Sequence, residues 1–181
     1  AYYLEPADPR YTGELLHGPI DPGGFLCYRP WQTAYKVIAN CETIMGSANA
    51  DAGAIGVAQT LHAYSLMRLV YLWDESGARL NYDGDITADV ATKAEVLAKI
   101  ESLLDAGYSD LNSAGSAFSF SLSGGFDGFD TPAAFALFNR GLRARVAVHQ
   151  DDWSAAQTAL DNCSAWATSS DPNEGVYHVF S

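Results

Sequence analysis

An all-α fold is predicted by three features of this sequence. Apolar residues recur at three- and four-residue steps in five separate runs, capping residues stand at the starts of several of them, and the composition suits a packed core. Hydrophobic residues make up 48% of the 181 positions and charged residues 18%, far from the polar, highly charged signature of disorder. A chain of this length buries roughly 70% of its unfolded surface, so residues 1–181 are expected to form one domain.

Residues 1–30 hold Pro6, Pro9, Pro19, Pro22, Pro30 and the Gly23-Gly24 pair among Tyr2, Tyr3, Tyr11, Phe25 and Tyr28. Such frequent backbone punctuation predicts an aromatic, irregular loop. Trp31, Ala34, Tyr35, Ile38, Cys41 and Met45 then predict a first helix over about 31–46. After Gly53 and Gly56, Val57, Leu61, Tyr64, Met67 and Tyr71 keep the helical period, while Leu66, Leu69 and Val70 make the run apolar nearly all round. That pattern predicts a helix buried in the middle of the domain.

Gly77 and the stretch from Asn81 to Asp85 interrupt the pattern before Thr92-Lys93-Ala94-Glu95. This spacing is a capping box, in which Thr and Glu each satisfy the other's backbone N–H. The third helix follows, with Leu97, Ile100, Leu104, Tyr108 and Leu111 on one face, so that helices one to three span 31–111. Residues 112–130 form a second loop, rich in Gly and Ser but carrying Phe118, Phe120, Phe126 and Phe129, which need a surface or a ligand to cover them.

Thr131-Pro132 reads as an N-cap followed by Pro at the first helical position, where a missing N–H costs nothing. The fourth helix continues to about His149 through Phe135, Phe138, Leu142 and Val146, and Asp151 or Asp152 caps a fifth whose predicted face is Trp153, Ala156, Leu160 and Cys163. The short join makes these two antiparallel neighbours over 131–168. Their combined length and the aromatic, small, bulky, small order of the last face match one tetratricopeptide unit. The alternation in Gly175 to Ser181 predicts the start of a strand whose partner lies outside the given sequence, so the chain is expected to be part of a longer one.

The order Trp31, Tyr35, Ile38, Ala39, Asn40 resembles the opening helix of SusD/RagB proteins, and Leu66 to Tyr71 resembles the family's second helix. Trp73-Asp74-Glu75 departs from the Tyr-Gly-Asp type of turn common there. Phe138 to Ala147 is similar to the family's Ala-Leu-x-Ala-Arg-Val-Ala-Leu helix, Asp152-Trp153 to its Asp-Trp step, and Gly175 to Ser181 to the strand after the repeat pair. The resemblance covers most of residues 28–181 and implies a SusD-like α-α superhelix with long irregular loops. It also implies a lipid-anchored protein on the outer face of a Bacteroidetes-type outer membrane. There it would cap a SusC-like TonB-dependent barrel and present a glycan or peptide to it, as a nutrient-binding partner and not an enzyme.

Net charge is −12, with 22 acidic against 10 basic residues, which disfavours nucleic acid as a partner because phosphate binding rests on clustered Lys and Arg. The three cysteines fit neither a disulfide framework nor a zinc pattern, and Cys41 and Cys163 read as small core residues. The chain opens Ala-Tyr-Tyr without the basic and apolar regions of a signal peptide, so its start is expected to be a processing boundary.

Candidate ligand-binding residues are the loop aromatics Tyr11, Tyr28, Trp73, Phe126 and Phe129, because a flat apolar ring covers the C–H face of a sugar. Trp31, Trp153 and Trp166 are assigned to packing. Asp83 and Asp85, in a run that lacks the Gly and the final acid of an EF-hand loop, and Asp127 and Asp130, are the candidate calcium ligands. No other cofactor is expected. The carboxylate pairs at 74–75, 127/130 and 151–152 are read as helix caps and solvated loops in preference to catalytic pairs, and His62 as a hydrogen-bonded helix residue. A protein-binding helical scaffold is the alternative class, and a glycan-degrading enzyme the third.

Overall fold

The computed structural model describes residues 9–85, 87–171 and 173–179, and the backbone alone of residues 9–11. The described chain is all-α: α1 Pro9–His17, α2 Phe25–Met45, α3 Ala52–Trp73, α4 Lys93–Ser113, α5 Pro132–His149, α6 Trp153–Asp161 and the single turn α7 Ser164–Ala167. From α2 to α6 each helix packs on the next, and α3 also touches α5. The core is one large cluster around Ile38, Leu66, Leu69, Ile100, Leu104 and Val146, with a smaller one around Val57, Leu111 and Phe135.

Local chemistry sets the helix starts. Asp51 accepts from Ala54 N at 2.7 Å to begin α3, and the box at α4 closes through Thr92 N to Glu95 Oε2 at 2.8 Å and Glu95 N to Thr92 Oγ1 at 3.3 Å. Thr131 caps α5 with Pro132 at its first position, and Asp152 caps α6 through Ala155 N at 2.9 Å. Each cap satisfies a donor that the helix cannot.

α3 is the central helix, with buried residues on every side. It lies against α4 so closely that a Cβ at Gly56 would stand 2.7 Å from Leu111 Cγ and 2.9 Å from the Gly107 carbonyl. Small residues at this crossing are therefore a condition of the packing.

Three sequence expectations are corrected. Residues 1–30 are not an irregular loop throughout: α1 occupies Pro9–His17 and α2 starts at Phe25, six residues before the expected Trp31. Pro9 stands at the first position of α1, where proline is tolerated, and Pro30 removes only the hydrogen bond to the Leu26 carbonyl near the start of a 21-residue helix. No strand occurs among the described residues of 175–181, because no chain lies alongside with a ladder to offer. Tyr177 N donates to the Gly125 carbonyl at 2.9 Å instead. Finally, Trp153 is 65% exposed and Leu160 42%, so neither packs. α6 meets α5 through Ala156 and Ala159, whose small side chains permit close approach.

The other two tryptophans assigned to packing, Trp31 and Trp166, do pack. Trp31 lies 5.0 Å from the Tyr35 ring and 5.1 Å from Trp73, and Trp166 meets Phe129 edge-on at 5.2 Å. Cys41 and Cys163 are buried, and burial pushes the Cys41 thiol up to about 11.

Candidate functional site

A large concavity runs beside α3. One chamber, about 890 Å³, opens between α2 and α3, with Phe25, Leu26 and Val37 on one wall and Leu69 and Leu72 on the other. A second, about 610 Å³, lies between α3, α5 and the segment 173–179, lined by Phe138, Trp166 and Tyr177 among others. Leu61, Tyr64 and His178 line both, so the two chambers adjoin along one groove beside α3.

The segment that floors the second chamber is held by specific bonds. Tyr177 N donates to the Gly125 carbonyl, Trp166 Nε1 donates to the Glu174 carbonyl at 3.3 Å, and the Tyr177 hydroxyl donates to the Asn173 carbonyl. Glycine is required where these parts meet. A Cβ at Gly125 would stand 2.1 Å from the Tyr177 carbonyl oxygen, and one at Gly141 would stand 2.5 Å from the Trp166 ring.

The α5 wall is fixed from behind by a buried polar network. Arg140 donates to Asp105 Oδ1 at 2.8 Å, to the Leu104 carbonyl at 2.6 Å and to Asn139 Oδ1, with its guanidinium 4.3 Å over the Tyr108 ring. Asn139 in turn donates to Thr60 Oγ1 at 2.8 Å, which ties α5 to α3, and Arg143 pairs with Glu101 of α4. These contacts, which leave only Arg143 Nη1 of the two guanidinium groups without a partner among the described residues, fix the rotation of α5 and thereby the direction of the face it turns to the groove.

Of the aromatic residues expected to touch ligand, Phe126 lines the groove, and it also packs on Phe135 and Phe138 at 5.5 and 5.9 Å. Phe129 is only 3% exposed, beneath Trp166. Trp73 is half-buried against Trp31. Tyr28 is 51% exposed, and its hydroxyl accepts from Gln32 Nε2 at 3.0 Å, but it stands outside the groove wall. The Tyr11 side chain lies outside the described residues. The Phe-rich loop is therefore anchored to α5 by Phe126 and by Phe118, which meets Phe135 edge-on at 6.0 Å, and to α7 by Phe129.

The acidic candidates are not brought together. Asp83 Oδ1 accepts from Asp85 N at 2.9 Å, and Asp85 Oδ1 accepts from Thr87 N and Oγ1 at 2.8 and 2.7 Å. These are self-closing turns. The Thr87 hydroxyl and amide hold the Asp85 carboxyl below the usual range. Asp127 and Asp130 are exposed, and no group of three or more His, Cys, Asp or Glu suited to a metal occurs among the described residues.

One expectation is met, that of His62 as a hydrogen-bonded helix residue, and one arrangement was missed in the sequence. His62 is fully buried on α3, with Nε2 3.1 Å from the Tyr82 hydroxyl and Nδ1 3.1 Å from Glu42 Oε1, the latter off the line of a hydrogen bond. Burial, with a smaller contribution from Lys99, lowers its pKa to about 4, so the ring is neutral and bonds the loop 77–91 to the core. The missed arrangement is the charge of the groove. Arg29 and Arg68 line the first chamber and Arg145 the second, against Glu174 alone among acids. The available signal was that the α3 and α5 sequences contain no Asp or Glu in a chain of net charge −12.

The described residues define an all-α helical stack with a groove along α3. No family model matches the chain, and no curated protein matches it. No helix among the described residues is long and apolar enough to cross a membrane.

Proposed function

We propose that this chain is the tetratricopeptide-like portion of a SusD/RagB-type protein, lipid-anchored at the outer-membrane surface. In this reading it binds a glycan or peptide nutrient and delivers it to a SusC-like TonB-dependent barrel. The observation that carries the reading is the groove of two adjoining chambers, about 890 and 610 Å³, along a stack of helices that each pack on the next. Concave, mostly apolar sites with a few convergent polar groups are where proteins hold ligands.

The residues that carry the family resemblance support it as builders of this stack. Trp31 and Tyr35 join α2 to the 77–91 loop, where the Tyr35 hydroxyl donates to the Arg79 carbonyl at 3.0 Å and accepts from Arg79 N at 2.6 Å. Ile38, Val146 and Ala147 are fully buried, and Asp152 caps α6. Binding is favoured over catalysis because the groove carries one carboxylate, Glu174, where glycoside cleavage needs two.

The test is affinity purification of the natural protein from detergent-solubilised outer membranes, with mass spectrometry of what accompanies it. A stoichiometric TonB-dependent barrel is expected. A soluble, unlipidated protein without a barrel overturns the reading and favours a protein-binding scaffold, for which the exposed Trp153 and Leu160 on α6 offer a ready apolar face.

A further inference from the structure

We propose that the groove selects an acidic peptide with apolar side chains, an inference that rests on the nutrient-binding reading and narrows its ligand. Two independent properties of the walls lead there, their charge and their chemistry.

The charge is segregated. Of 22 acidic residues none lies in α3 or α5, and α2 holds only Glu42, which sits against the buried His62 and away from the groove. Several basic side chains are committed elsewhere: Arg79 to the carbonyls of Asp85 and Ala88, Lys93 to Asp74 and Glu75, Arg140 and Arg143 to Asp105 and Glu101. Arg68 and Arg145 are exposed at the groove and have no ion-pair partner among the described residues, and Arg29 stacks over Phe25 at 5.9 Å. Three arginines facing one concavity with low-dielectric walls focus positive potential there, on a molecule whose remaining surface repels anions. Guanidinium groups in that setting bind carboxylates bidentately.

The chemistry of the walls separates peptide from glycan. The first chamber is walled mostly by aliphatic side chains such as Leu26, Val37, Leu61 and Leu72, with Phe25 and Tyr64 as its rings. Its hydroxyls are Thr33, Tyr64 and Ser65, and Ser65 Oγ is already bonded to the Leu61 carbonyl at 2.9 Å. A sugar enclosed here would leave several hydroxyls without partners, each a desolvation penalty. A peptide instead buries apolar side chains against this wall and turns its carboxylates to the arginines.

The experiment measures binding to the natural protein by fluorescence anisotropy. The probes are a labelled peptide of Leu, Phe, Gly and Glu, a counterpart with Lys in place of Glu, and an unlabelled oligouronate as competitor. The acidic peptide is expected to bind at least about tenfold tighter than the Lys peptide, to weaken as salt rises, and to lose about tenfold or more in the double variant R68E/R145E. Equal binding of the two peptides, unchanged binding by the variant, or no peptide binding overturns the proposal. Displacement by the oligouronate at lower concentration than by unlabelled acidic peptide also overturns it, in favour of an acidic glycan. Barrel co-purification, measured on the same variant, reports on the nutrient-uptake reading independently of these outcomes.

Discussion

Helix α5 carries arginines with two different fates within two turns. Arg140 and Arg143 face α4 and are almost fully buried, tied to Asp105, Glu101, Asn139 and the Leu104 carbonyl. Arg145, two residues on, faces the groove, is exposed and has no ion-pair partner among the described residues. One helical face uses positive charge to hold the fold, and the next presents it to whatever enters. A residue type therefore says little about role until the helix rotation is known, and here the buried network sets that rotation.

Removing the buried member should have the larger effect. Arg140→Met keeps the stem but leaves Asn139 Oδ1 without its donor and the Leu104 carbonyl with only its helical hydrogen bond, at a cost of about 2 kcal/mol. Asp105, half-exposed, recovers water and adds little. Chemical denaturation should show a lower midpoint with an unchanged slope. A loss below about 1 kcal/mol would mean that the network does not hold α5 in place.

The buried histidine gives a second contrast, with titration as the readout. His62 has its pKa lowered to about 4 by burial, from 6.5. Below pH 6.5 the unfolded chain takes up a proton that the folded chain refuses until about pH 4. Stability is therefore complete above neutrality and falls as pH drops through that window. The full lowering from 6.5 to about 4 corresponds to a loss of at most about 3 kcal/mol across that window. His62→Gln should melt at a lower temperature at pH 7.5 and show a shallower decline towards pH 4.5. Parallel declines in the two proteins would show that His62 does not set the acid sensitivity.

A third test addresses the groove's floor. Gly141→Leu places a side chain where Trp166 lies, since even a Cβ there would approach the ring to 2.5 Å. Displacing Trp166 also loosens the Glu174 carbonyl that it holds. The expected destabilisation is about 1–3 kcal/mol, with increased tryptophan exposure to a neutral quencher. Unchanged quenching would mean that the chamber does not depend on this contact.

Much of the helical frame could be read from the sequence, because caps and period are local signals. The Thr92–Glu95 box, Thr131-Pro132 and the Asp151-Asp152 pair, of which Asp152 is the cap, each placed a start, and the apolar run around Leu66 identified the central helix. Proline density misled at 1–30, since a proline's effect depends on its position within a helix and not on its presence. The face of α6 was misjudged because Trp153 and Leu160 share its period with Ala156, and only the partner helix decides which stripe is buried. The groove was out of reach for a deeper reason: Arg68 and Arg145 lie in separate helices that only tertiary packing brings to one concavity. The candidate aromatics were chosen for sitting in loops, yet Phe129 and Phe126 anchor their loop, because a long Ser/Gly segment gains little order unless apolar groups fasten it.

The smallest expected effect closes the comparison from the other side. Arg68→Met and Arg145→Met keep the aliphatic stems and remove charges that have no ion-pair partner among the described residues. Neither should change stability by more than about 0.5 kcal/mol, since exposed charges without partners contribute little to folding. A slight gain is expected if the three groove arginines repel one another, and added salt should erase it by screening. Stability measured at low and high salt for both variants, beside Arg140→Met, then separates charge that holds the fold from charge held ready for a ligand. A loss of 2 kcal/mol or more at Arg145, roughly what an unsatisfied buried group costs, would place it with Arg140 among the structural arginines and remove the basis for an anion-selective groove.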